Sequence, residues 1–230
     1  MTEPAGPPRT HYVTLEGTVT ATGALAVTVS TGYWSYWLDI AIEQLGIAAA
    51  ARATGMASHA AESDVSLAIL PETKAAMVAT VGAAASIESF GKRVLELDAT
   101  SKGTKPPDWK ARDATTLLRT AFDVDEAFLD DRLKRLFDDR NAAVHAREED
   151  HPPEPHPLGV SVGSGNAHFT FERALEAVSM ALGVLDECCK NVRPGPEHAR
   201  VAQMIGSVSK QLAGCWERVW AVQRLLEGAG

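Results

Sequence analysis

The chain holds only three cysteines, Cys188, Cys189 and Cys215, and the first two are neighbours on what reads as one helix. Such an arrangement gives no disulfide framework, so the expectation is small buried thiols in a reducing compartment. No apolar run approaches the roughly 18 residues that mark a membrane span. Met1 to Pro8 has no basic stretch leading into an apolar core, so it does not read as a signal peptide. These absences point to the cytoplasm and to no membrane. Metal ligands are equally poorly served. His145, His151 and His156 stand near Glu148, Glu149 and Asp150, but their five- and six-residue spacings span a loop, with no His-Glu-x-x-His pattern. No metal is expected. Gly163-Ser164-Gly165 has no preceding strand and no phosphate-loop lysine, so no cofactor is expected either. Positive charge is also short. Lys and Arg number 22 against 30 Asp and Glu, and the resulting net charge of −8 predicts weak non-specific binding to nucleic acid. It suits a basic partner better.

What is present is an ordinary globular balance, with 45% hydrophobic and 23% charged residues, which argues against wholesale disorder. The spacing predicts a mostly α-helical bundle with an N-terminal β-hairpin. Residues 1–9 read as a disordered lead. Val13, Leu15, Val19 and Leu25, Val27, Val29 alternate at period two around Thr22-Gly23, a hairpin signature. A helix is expected over about 35–54, with Tyr33, Trp34, Tyr36 and Trp37 packing under the hairpin. Residues 10–70 thus form a hairpin-plus-helix extension and 71–230 the bundle. Pro71-Glu72 should open the next helix, 72–97, whose alanine-rich face permits close approach within a bundle or across a dimer. Further helices are expected over 108–121, 124–146, from Phe171 to Cys189, and over 197–227. A loop fills the stretch from Arg147 to about residue 168. Trp216 and Trp220 are core or dimer-interface candidates.

The helix over 124–146 carries the chemistry. Leu129, Leu133, Leu136 and Phe137 mark its buried face, and Val144 continues it. Arg140 falls on that stripe. An arginine there cannot shed its charge, so it either pairs with a carboxylate of the bundle or faces a cleft where an anion binds. His145 stands one turn after Asn141, so those side chains neighbour each other. The plain structural alternative makes His145 a helix-end residue favoured by the dipole. Arg132, Lys134 and Arg135 alternate with Asp130, Asp131, Asp138 and Asp139, a pattern that reads as a self-paired solvated surface.

At Arg140, Asn141 and His145 the chain resembles the HEPN superfamily, whose mark is an arginine, four to six residues, then a histidine, often with asparagine after the arginine. The resemblance spans roughly residues 72–192. It implies a metal-independent RNA endonuclease that acts as a homodimer, often a defence protein or the toxin of a toxin–antitoxin pair. A nucleotidyltransferase-like antitoxin is then a possible partner, and the products are a 2′,3′-cyclic phosphate and a 5′-hydroxyl. Many members of the superfamily bind without cutting, which keeps a non-catalytic binding or dimerisation module as the alternative.

The residue types fit the chemistry. Cutting RNA through its own 2′-hydroxyl needs a group that moves protons near neutral pH, the habit of histidine, and paired N–H donors for the charge on phosphorus, the habit of arginine. His145 is the expected acid/base, Arg140 the phosphate clamp, and Asn141 the residue that orients one or the other. Five residues turn a regular helix through about 140° beyond a full turn. Arg140 and His145 therefore do not converge within one regular helix, and either a fraying last turn or a two-fold dimer must bring the groups together.

Overall fold

Trp34, Leu38, Ala41, Leu45 and Ala48 recur at three- and four-residue spacing, and in a computed structural model of the chain they form the buried face of the first helix, α1 (Tyr33–Ala60). The structure describes residues 13–19, 25–31, 33–60, 64–145 and 152–227. Ahead of α1, β1 (Val13–Val19) pairs antiparallel with β2 (Leu25–Thr31), Val19 opposite Leu25. The lead over 1–9 and the turn at Thr22-Gly23 lie outside the described residues.

The second helix, α2 (Ser66–Lys102), is the axis of the bundle. It starts at Ser66, five residues before the expected Pro71-Glu72, so Pro71 sits inside it. Asp64 accepts the Ser66 N–H at 2.8 Å, and Val65, Ala68 and Ile69 pack against Leu158 from far along the chain. Those tertiary contacts hold the early turns, while Pro71 deprives only the carbonyl of solvent-exposed Leu67 of its helical partner. Glu72 is therefore not a first-turn residue on the dipole but a wholly buried one. Ala75, Ala79 and Gly82 keep the α1–α2 seam close. A Cβ at Gly82 would meet the Trp37 carbonyl at 3.0 Å. Alone among the helices of the described residues, α2 is long and apolar enough to cross a membrane, and its apolar window is mostly buried in the bundle.

α2 stops at Gly103, whose φ of 66° and N–H bonds to the Ala99 and Thr100 carbonyls make a left-handed cap. The chain then lays Trp109 across Gly91. The helix expected over 108–121 is shorter, a 3₁₀ turn followed by α3 (Ala114–Leu118). Arg193 limits it, its Nε donating to the carbonyls of Arg119 at 3.0 Å and Phe122 at 3.3 Å. Next comes α4 (Glu126–Val144), which opens on Asp125 accepting the Phe128 N–H at 2.8 Å.

The expected long loop is partly built. β3 (Glu154–Pro155) pairs with β4 (Ser161–Val162), and α5 (Ser164–His168) follows. Between the strands, His156 and Leu158 are buried against the bundle. α6 (Phe171–Lys190) and α7 (Ala199–Glu227, led by a 3₁₀ turn at Pro196–His198) complete the fold.

One core joins side chains of α1, α2, α3, α4, α6 and α7. The division expected at 70/71 falls inside α2, and α1 belongs with the bundle. At the centre Trp34 meets Phe90 edge-on at 6.5 Å, and Phe90 stacks on Phe122 at 5.9 Å. The N-terminal aromatic cluster is thus split: Trp34 lies in the core, while Tyr33 is 67% exposed and Trp37 39%. Trp216 stacks on Trp220 at 6.0 Å, with Trp220 half-exposed at the surface of α7.

Candidate functional site at the end of the fourth helix

Along α4 the buried positions are Leu129, Leu133, Leu136, Phe137 and Ala143. The last buried position is Ala143; Val144, on the same stripe but the final residue of the helix, is 53% exposed. Arg140 lies between Phe137 and Ala143 and is half-buried. Its guanidinium carbon is 5.6 Å from the Phe137 ring centroid, within cation–π range. Among the described residues no carboxylate lies within ion-pair reach of it. The reading in which Arg140 pairs inside the bundle therefore finds no partner there. Asp139 points to a different group, the Nε2 of His168, at 3.4 Å.

Asn141 is exposed and its carbonyl accepts the His145 N–H at 2.9 Å. His145 is exposed at the helix end, where φ −115° and ψ 28° take the chain out of α4. The helix is intact to Val144, so fraying does not bring Arg140 and His145 to one side. All three expected residues sit on the last turns of one helix. What they lack within the chain is convergence.

The basic residues of α4 are not paired with the aspartates of their own helix, as the alternation suggested. Arg135 bonds Glu176 on α6, and Arg132 lies over the Phe128 ring at 3.9 Å. A longer side chain reaches a neighbouring helix or ring more easily than an aspartate on its own helix when the core brings α6 alongside.

Two features escaped the sequence reading. His168 is one, brought to α4 only by the folding of α5. The other is a buried cluster of Arg52, Glu72 and His156, with the exposed Glu172 at its edge. Arg52 donates to both oxygens of Glu72 and both of Glu172, and Glu72 also accepts the Phe171 N–H at 2.9 Å. His156 Nδ1 accepts the Leu158 N–H at 3.2 Å, which leaves its proton on Nε2, 3.9 Å from Glu72. Burial is the leading influence on this imidazole and lowers its pKa. A signal for Arg52 existed: it falls on the buried stripe of α1, as Arg140 does on that of α4.

Other chemistries are poorly supported. Burial pushes the thiols of Cys189 and Cys215 up to about 12 and about 11 and also raises that of Cys188 well above the usual thiol range, so none is an available nucleophile. His145 is exposed and His156 buried beneath the ribbon, while His151 and residues 148–150 lie outside the described residues. Among the described residues no three His, Cys, Asp or Glu side chains are grouped to hold a metal. No family model, curated protein or solved structure matches the chain.

Proposed function

We propose that the chain is a metal-independent RNA endonuclease of HEPN type, a cytoplasmic defence protein or toxin that works as a homodimer. The observation that carries this reading is Arg140: a half-buried guanidinium on an apolar stripe, without a carboxylate partner among the described residues, on the same helix end as an exposed histidine. A partly desolvated guanidinium without a carboxylate beside it favours an anion, and the phosphodiester is the anion on which the imidazole of a second copy acts.

In this mechanism His145 takes the proton of the 2′-hydroxyl. The 2′-oxygen attacks phosphorus, a P–O bond to the 5′-oxygen breaks, and the departing oxygen takes up a proton. A 2′,3′-cyclic phosphate and a 5′-hydroxyl result, and the net change moves one proton between the two oxygens. Arg140 stabilises the added charge on the phosphoryl oxygens, and Asn141 orients the imidazole or the phosphate. Arg140 and His145 stand about 140° apart around the axis, so Arg140 of one copy serves the phosphate whose 2′-hydroxyl gives its proton to His145 of the other. The acidity of the chain means that binding RNA rests on local contacts or on a partner; a nucleotidyltransferase-like antitoxin is one such partner.

The test is induced expression and in vitro cleavage with wild type, Arg140→Ala and His145→Ala. Cleaved RNA bearing cyclic phosphate ends, absent with both variants at unchanged fold, is the expected result. Intact RNA with the wild type would sink the enzyme reading. A non-catalytic interaction module would then stand ahead, favoured by the exposed apolar stripe of Tyr33, Trp37, Ile40 and Ile47 on α1.

A further inference from the structure

At the other end of α4, roughly 20 Å from Arg140 at 1.5 Å per residue, lies a solvent-open pocket of about 480 Å³ lined by Arg119, Thr120, Asp123, Arg193, Glu197 and His198, with Pro194 at its side. That volume lies within the range of small-molecule sites, which runs from about 300 to 1,000 Å³. Its wall is built rather than incidental. The turn after α3 supplies Arg119 and Thr120, and the segment between α6 and α7 supplies Arg193 and His198. A bridge between Phe122 and Val192 ties the two together.

The polar groups here are incompletely used. Arg119 gives Nη1 to Glu126, yet its Nε is buried without an acceptor. Arg193 spends Nε on two backbone carbonyls and leaves Nη2 3.6 Å from Asp123, beyond a good hydrogen bond. His198 is 5% exposed, with Nδ1 2.9 Å from Asp98 Oδ1 but off the line that a hydrogen bond needs, so both atoms remain unsatisfied. Its Nε2 is 3.7 Å from Glu197. Behind it, Lys102 bonds the other oxygen of Asp98 at 2.6 Å. Arg119 Nε is thus a buried donor without an acceptor in the wall, while His198 Nδ1 and Asp98 Oδ1 face each other behind it. Such atoms cost free energy unless something completes them.

We propose that this cavity is a second binding site, separate from Arg140 and His145, for a small phosphomonoester with a hydroxyl-bearing body, such as a nucleoside monophosphate. The phosphoryl group takes the free N–H donors of Arg119 and Arg193 and faces His198, because guanidinium N–H groups match phosphate oxygens in pairs. Asp123, Glu197 and Thr120 accept from the hydroxyls of the body. The two carboxylates balance the arginines in the empty cavity, so the pocket selects a ligand with both an anionic and a donor end over a bare polyanion.

Isothermal titration calorimetry on the full chain tests this with a 5′-nucleoside monophosphate, the matching nucleoside and inorganic phosphate. Arg119→Gln is the primary variant. Arg193 is left intact because it holds the carbonyls of Arg119 and Phe122, and His198→Asn is a second variant should Arg119→Gln lose its ligand-free melting transition. The monophosphate is expected to bind, phosphate to compete with it, and the nucleoside alone to bind at least tenfold more weakly. Either variant weakens the monophosphate at least tenfold, and Arg140→Ala leaves it unchanged. No binding to the wild type at millimolar ligand, equal affinity for the nucleoside, or equal affinity in a folded variant would overturn the proposal.

Discussion

Arg52 clamps the carboxylate of Glu72 across the α1–α2 seam, with side-chain exposures of 5% and 0%. Without Arg52 the carboxylate of Glu72 is a buried charge that has lost its guanidinium, and without Glu72 the buried guanidinium keeps only Glu172, which is 53% exposed. Removing one partner of such a pair typically costs about 3–5 kcal/mol, whereas replacing both with apolar groups costs far less. Arg52→Ala and Glu72→Ala are each expected to lower the free energy of unfolding by about that amount. The double variant Arg52→Met/Glu72→Leu should lose less than the sum of the two. Denaturant unfolding of the three proteins measures this, and additive losses would mean that the two residues act separately. Glu72 also holds the Phe171 N–H, so its single variant should be the more damaging.

Acid should loosen the same region through His156. Burial lowers the pKa of its imidazole from 6.5, Arg52 acts in the same direction, and the carboxylates of Glu72 and Glu172 oppose them. The folded state therefore prefers the neutral ring, and the unfolded chain takes up a proton first. Stability from this group is fully present above pH 6.5 and is lost as the pH falls through 6.5 toward the folded value. Glu172 acts in a separate window. Desolvation pulls its carboxyl upward, but hydrogen bonds from Arg52, its own backbone and Thr170, with the charge of Arg52, together hold it below 4.5, so its contribution persists until stronger acid. Chemical denaturation between pH 7.5 and 5 should show wild-type stability falling and a flatter profile in His156→Gln. Equal slopes would assign the loss to another group.

How far the sequence carried the reading differs by residue. The helical periods were legible wherever apolar spacing was strong, as from Phe171 to Cys189 and along Val201, Ile205, Val208 and Leu212. The start of α2 was not, since Leu158 holds that end from about ninety positions away and no local pattern contains it. Arg140, Asn141 and His145 could be placed on one helix end by counting residues. Val144 could not be excluded from the buried face, because it lies on the same stripe and only its place as the last residue of α4 leaves it exposed. His168 meets Asp139, and His198 meets Asp98, only through the packing of separate helices. Arg119 and Arg193 likewise meet because the turn after α3 and the end of α6 are neighbours in space, not in sequence.

The placement of Arg140 and His145 allows a sharper test of the dimer than loss of activity. Suppose each site draws Arg140 from one copy and His145 from the other. In a two-fold dimer of one Arg140→Ala chain and one His145→Ala chain, one site loses both residues and the other keeps both. Each variant alone has no complete site. Mixed in equal amounts and allowed to exchange, half the dimers are mixed and one of their two sites works, so about a quarter of wild-type cleavage should return. Both side chains lie on the last turns of α4, and neither belongs to the buried core, so the variants should fold as the wild type does. Co-expressing differently tagged chains and assaying the doubly purified dimer removes the dependence on exchange, and there about half of wild-type activity is expected. A doubly tagged dimer as inactive as its parents would show that Arg140 and His145 of the same chain must serve one phosphate, and with it the crossed-copy arrangement would fall.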